Sequence, residues 1–220
     1  MSEYHLNEWK SKIQGPYVPN LLAPLEIRPG ADCLDLGCGS GYVNVHLAAR
    51  GVKRNLGMDL FPETMEMARK LNRETPGIGW VCASAEAIPL PDASLDHVIC
   101  RGVVPLAHVR KVMAEIARVL RPGGTAVLLL HRWDYYLHWF SLRPSQWKRA
   151  IAGLMHTAIG AWFNLTGMQV QWRIGGHLFG QTFQTVYRMK RITRPLGMEV
   201  YHAPQDKEFL VYVRKGAAKR

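Results

Sequence analysis

From Ala31 to Ala49 the chain passes from a short apolar segment, Ala31 to Leu36, through Gly37-Cys38-Gly39-Ser40-Gly41, into a helical pattern, Tyr42 to Ala49. This join constrains the fold more than any other stretch. Glycines at alternate positions permit a sharp strand-to-helix turn and let the backbone come close to a ligand at the helix N-terminus. A phosphate-binding P-loop needs Gly-Lys-Ser/Thr at the helix start, whereas Gly41 is followed by Tyr42. A dinucleotide loop spaces its glycines as Gly-x-Gly-x-x-Gly; here they run Gly37-x-Gly39-x-Gly41, and Asp35 just ahead would repel a pyrophosphate. ATP, GTP and dinucleotides are therefore disfavoured.

Strand and helix patterns alternate beyond the loop. A second strand, Val52 to Met58, ends in Asp59, and a third, Ile78 to Ala83, leads into a loop from Ser84 to Asp92. A fourth, Leu95 to Cys100, runs into Arg101-Gly102-Val103. Helix His108 to Leu120 then ends in Arg121-Pro122-Gly123-Gly124 before a fifth strand, Thr125 to Leu130. After an irregular region come helix Thr182 to Arg194 and two strand-like runs, Met198 to His202 and Glu208 to Val213. Such alternation predicts helices on both faces of a mostly parallel sheet, and 220 residues, 48% of them hydrophobic, suffice for one core. No repeat or low-complexity tract calls for a second domain.

In this order, residues 17 to 131 resemble the class I S-adenosylmethionine-dependent methyltransferases, with a likeness to the small-molecule, ubiquinone/menaquinone-type branch. The resemblance implies a single Rossmann-like, doubly wound α/β domain with a seven-stranded sheet, closed by an antiparallel hairpin. It also implies a helical, substrate-covering insertion after the fifth strand, residues 132–180. The implied cofactor, S-adenosylmethionine, has no phosphate and carries a sulfonium and an ammonium, so an acid near the loop becomes an asset. Asp35, Gly37, Cys38, Gly39 and Gly41 would form its loop, and Asp59, with Leu60 beside it, would accept the ribose hydroxyls. Ser84, Ala85 and Glu86 would lie on the adenine side, and Arg101 at the methyl-transfer end. The chain departs from the family at Ser84, where many relatives have an aspartate to accept from the adenine amine; a hydroxyl is a weaker acceptor. Asp35 has a second reading as a helix cap.

Transfer of a methyl group from sulfur is an in-line displacement that needs alignment and no protein nucleophile. An acceptor that must lose a proton needs a base. His131, at the end of the fifth strand, is best placed for this, with Arg101 and Tyr135 as further catalytic candidates. His108, His138, His156, His177 and Tyr136 are weaker ones. The methylated atom is open.

Met1 to Gln14 has no continuous apolar core, so no secretory signal is expected and cytoplasmic residence is the default. Cys33, Cys82 and Cys100 fall on predicted central strands as small buried thiols and Cys38 in the loop; neither disulfides nor a metal site is expected.

Charge is uneven along the chain. Residues 1–115 hold 12 Lys/Arg against 13 Asp/Glu, and residues 116–220 hold 16 against 4. Between Glu115 and Glu199 the one acid is Asp134. A basic face of this kind suits an anionic partner, either a membrane surface or nucleic acid, or is simply a solvated surface. Five of seven tryptophans fall in Arg132 to Arg173, and Trp147, Ile151, Leu154, Met155, Ala158, Trp162 and Leu165 recur at helical spacing. The bland expectation is a lid helix packing this stripe on the core, or a homodimer interface. The functional one is an aromatic-walled pocket for a hydrophobic small-molecule acceptor, approached from a membrane surface. Two alternatives stand beside the small-molecule methyltransferase: an RNA methyltransferase, and a non-catalytic S-adenosylmethionine-fold membrane or interaction protein.

Overall fold

The centre of the molecule is built from segments whose apolar residues leave no face for water. In the computed structural model, which describes residues 3–135, 147–174, 177–204 and 209–217, strand β1 (Asp32–Leu36) is buried at every position. Such runs suit parallel strands covered on both faces. β1 pairs in parallel with β2 (Arg54–Asp59) on one side and β4 (Leu95–Arg101) on the other; β3 (Ile78–Cys82) and β5 (Leu120–Leu130) extend the two wings in parallel. The chain closes with the antiparallel hairpin β8 (Met198–His202) and β9 (Phe209–Lys215), giving the order β3-β2-β1-β4-β5-β9-β8. The seven-stranded, mostly parallel sheet read from the sequence is the one observed.

Side chains alternate across the sheet, so each strand feeds two cores. Leu34 and Leu36 join the core beneath α5 (Val109–Val119), while Cys33 joins the core beneath α2 (Tyr17–Leu22) and α3 (Tyr42–Ala49). In α5, Val109, Val112, Met113, Ile116 and Val119 recur at three- and four-residue steps and are wholly buried. α1 (Glu3–Gln14) reaches across to the strand β2 side: Trp9 Nε1 donates to Asn72 Oδ1 at 3.0 Å, just past α4 (Pro62–Leu71).

Several boundaries moved for local reasons. β5 begins at Leu120, pairs with Leu95, and then loops out at Pro122-Gly123-Gly124 before pairing resumes between His97 and Thr125. Helix α7 (Val186–Thr193) starts four residues later than its pattern, and the segment ahead of it is tied to other parts of the chain. Thr182 N–H bonds the Pro105 carbonyl and Gln184 N–H bonds that of His131. Thr185 then caps α7, its hydroxyl accepting from Arg188 N–H at 3.1 Å. Cys82 is exposed rather than buried, because β3 turned out to be a sheet edge.

The insertion comprises α6 (Trp147–Thr166) and a small hairpin, β6 (Trp172–Ile174) with β7 (His177–Phe179). Its inward face is rich in glycine. A Cβ on Gly160 would lie 2.3 Å from Cδ1 of Phe183, so only glycine lets the helix come this close to the 182–185 segment. The stripe expected to pack on the core does the opposite: Ile151, Leu154, Ala158, Trp162 and Leu165 are exposed, and Gly153, His156, Gly160, Phe163 and Gly167 are buried. No described helix is long and apolar enough to cross a membrane.

Candidate active site

The strand order reverses between β1 and β4, and in open α/β sheets this places the binding crevice outside the carboxyl ends of those strands. The glycine turn sits there. Gly37, Gly39 and Gly41 all have positive φ, at 74°, 54° and 78°. The turn hangs from β2, since the N–H groups of Gly37 and Cys38 both bond the Met58 carbonyl. Close packing sets Gly41: a Cβ there would lie 2.4 Å from Cη2 of Trp80 and 2.7 Å from Nδ2 of Asn72. Gly39 is the contrary case. Nothing lies within 4 Å of where its Cβ would point, so a side chain would fill open space rather than collide.

Asp59 closes β2 with its carboxylate against this turn. Oδ2 accepts from Gly39 N–H and Oδ1 from Phe61 N–H, each at 3.2 Å, which ties the loop to the start of α4. Leu60, between them, is half exposed. Cys38 is buried, and burial together with Asp35 and Asp59 pushes its thiol far up, so it stays neutral.

Asp35 is buried completely, and neither carboxylate oxygen has a hydrogen-bond partner. The helix-cap reading does not hold, because α3 is entered through Gly41 without any side-chain cap. Burial pushes this acid up to about 6, against the pull of Arg101 and with a smaller push from Asp59. Arg101 closes β4. Its guanidinium lies 4.4 Å over the Tyr42 ring and donates to the Tyr42 hydroxyl, and its Nε is buried without a partner. Burial works against its charge, but Asp35 and the hydroxyls of Tyr42 and Tyr17 hold it firmly protonated.

On the far side of the crevice, the Ser84 hydroxyl accepts from Glu86 N–H at 3.1 Å and so shapes its own loop. Ala85 packs on the core. The Glu86 carboxylate is engaged with α5: Oε1 accepts from His108 N–H at 2.9 Å and Oε2 pairs with Lys111 at 3.5 Å. Sequence reasoning missed what holds this loop. Arg118 donates to the carbonyls of Ile88 and Leu90, both at 2.8 Å, while pairing with Glu115 and Asp92. Glu115 in turn accepts Ile88 N–H at 2.6 Å. The sign was legible, since Glu115 and Arg118 stand three apart on one helix face, but their reach to residues 88–92 was not.

His131 follows β5 at the same end of the sheet, its ring stacked on Tyr135 at 3.8 Å between centroids. Burial pushes it down to about 4, so it is neutral at physiological pH. His156 is buried on the inward face of α6, and His108 precedes α5 as its N-cap residue. His138 and Tyr136 lie outside the described residues, as does the side chain of His177. Of the described tryptophans in this stretch, Trp133, Trp147 and Trp162 are exposed and Trp172 is half-buried. Among the described residues no cluster of three His, Cys, Asp or Glu converges as a metal site would.

The sheet order, the glycine turn and the acid closing β2 are similar to those of class I S-adenosylmethionine-dependent methyltransferase domains. Residues 34–128 match the family described as a methyltransferase domain. Over 97 residues the chain is 36% identical to the malonyl-[acyl-carrier protein] O-methyltransferase of Serratia marcescens, covering 44% of this chain and 36% of that protein. Over 107 residues it is 35% identical to the ubiquinone/menaquinone biosynthesis C-methyltransferase of Acidiphilium cryptum, covering 47% and 43%. The chain thus spans less than half the length of these curated relatives. In fold it resembles the putative methyltransferase solved in complex with the Trm112 methyltransferase activator of Haloferax volcanii, with a TM-score of 0.69 at 18% identity, over 98% of this chain and 99% of that one. S-adenosylmethionine is the cofactor of this class of domain, and the residues present suit it. Asp35 offers a buried carboxylate without a hydrogen-bond donor, Arg101 a buried Nε without an acceptor, and Gly39 an open approach beside Asp59.

Proposed function

We propose that the protein transfers a methyl group from S-adenosylmethionine to a small hydrophobic acceptor. The observation that carries this reading is the pair of acids on either side of the glycine turn, with Asp35 wholly buried and neither of its oxygens accepting a hydrogen bond. A buried carboxylate without a donor is costly, and a site that expects a cation explains why it is kept. Bound S-adenosylmethionine supplies an electrophilic methyl group. Asp59 would hold the ribose, Asp35 the ammonium and Arg101 the carboxylate of the amino-acid end, with Ser84 and Ala85 beside the adenine.

The acceptor would enter from the β5 side, under a cap formed by residues 132–180 and the Thr182–Gln184 segment that returns across His131. His131 is unprotonated at neutral pH, the form a base requires, and its ring stacks on Tyr135. Its depressed basicity suits an acceptor that is already acidic, such as a phenol or a stabilised enol. Relatives that share this core carry quite different names, one an O-methyltransferase of malonyl-[acyl-carrier protein] and one a C-methyltransferase of ubiquinone/menaquinone biosynthesis, which fits specificity residing in the insertion. Incubating the protein and methyl-labelled S-adenosylmethionine with a cell extract tests the proposal. Label in a small, organic-extractable product is expected; label confined to RNA or to macromolecules would overturn it.

A further inference from the structure

We infer that the outward face of α6 is a docking surface for an anionic lipid bilayer. Ile151, Leu154 and Trp162 are each about half exposed, at 56, 54 and 49%, and Leu165 is 82% exposed. With Ala158 they form one stripe about 20 Å long at the rise of an α-helix. A stripe of this kind has a cost in water, and soluble surfaces rarely carry one without a partner. The inward side of the same helix is glycine-rich and already used, so the apolar face is not waiting to rotate into the core.

Charge selects the occupant. Residues 116–220 hold 16 Lys/Arg against 4 Asp/Glu, and α7, bonded to α6 through Thr185 and Arg188 on Asn164, exposes Lys190 and Arg191. A symmetric dimer would bring together two copies of a chain whose formal net charge is +11. An anionic headgroup layer is complementary to it, and each basic group near such a surface adds attraction. The geometry fits a helix lying in the interface, with tryptophan at headgroup depth, since no described helix is able to span. Membrane docking here stands apart from methyl transfer, although it would bring an apolar acceptor to the crevice.

Flotation of the full chain with vesicles of phosphatidylcholine containing a quarter phosphatidylglycerol tests this. Binding is expected, weaker in high salt and weak to phosphatidylcholine alone. The double variant Leu154→Glu/Leu165→Glu, altered only at exposed positions, is expected to lose about tenfold or more in partitioning. Its binding of S-adenosylmethionine, followed by calorimetry, should be unchanged, so failure of docking and failure of the methyltransferase reading remain distinguishable. Three results would overturn the inference: equal binding to neutral vesicles, wild-type flotation of the variant, or a stripe-dependent dimer or RNA complex with no vesicle binding.

Discussion

If Asp35 faces a cationic ligand, binding of S-adenosylmethionine must release a proton, and its affinity must fall on acidification. With its acid pushed up to about 6, Asp35 is about nine-tenths ionised at pH 7 and about one-tenth ionised at pH 5. Because only the carboxylate attracts an ammonium, affinity should drop about tenfold over that interval, equivalent to about 1.4 kcal/mol. At pH 6 roughly half a proton per chain should leave on binding, since the ligand draws the acid back towards its ordinary range. Calorimetric titrations in buffers of different ionisation enthalpy read both quantities. Asp35→Asn is the control: it should bind weakly at pH 7, by about 2 kcal/mol, and show little pH dependence between 5 and 7. Affinity that stays level from pH 7 to 5 in the wild type would refute the reasoning. So would an unchanged slope in Asp35→Asn, which would assign the proton to another group.

Gly41→Ala should destabilise the fold by roughly 3 kcal/mol in urea unfolding, from a left-handed backbone plus collision with Trp80 and Asn72; a cost below 1 kcal/mol would mean the ring moves freely. Arg118→Ala should cost about 1 kcal/mol, discounted for its partial exposure, and should speed amide exchange at Ile88 and Leu90; unchanged protection would show that the loop holds itself. His131 and Asp35 should pull acid stability in opposite senses. His131, held at about 4 against an ordinary 6.5, contributes stability that is complete above pH 6.5 and lost as pH falls towards 4. Asp35, held at about 6, contributes stability that is complete below its ordinary range and lost as pH rises through 6. His131→Gln should therefore expose the Asp35 slope, with stability falling between pH 4 and 6 by up to roughly 3 kcal/mol; the wild-type profile in that variant would discount the buried-neutral histidine. Its turnover should also fall while S-adenosylmethionine affinity holds, and wild-type rates would remove His131 as the base.

The glycine turn, Asp59 and the five parallel strands were legible because each is local: a strand period, a required conformation, a fixed offset. What escaped depends on distant residues. Trp80 reads as one more strand aromatic until its ring is seen filling the space that Gly41 leaves, and Trp9 reaching Asn72 joins positions 63 apart. The period of α6 announced an apolar stripe but not which way it faces. A sign was available, because Gly153, Gly160 and Gly167 recur at seven-residue steps on the opposite side, and a row of glycines marks close approach of another segment. The exposure of Cys82 could not be read either, since a strand's own residues do not state its place in the sheet order.

The central claim is that the crevice between the glycine turn and Asp59 holds S-adenosylmethionine. Titration of that compound into the purified wild-type protein and into Asp59→Ala tests it most directly. One molecule per chain is expected for the wild type, with affinity at least about thirtyfold weaker in the variant, or about 2 kcal/mol. No binding to the wild type, or equal binding to both, would contradict the account.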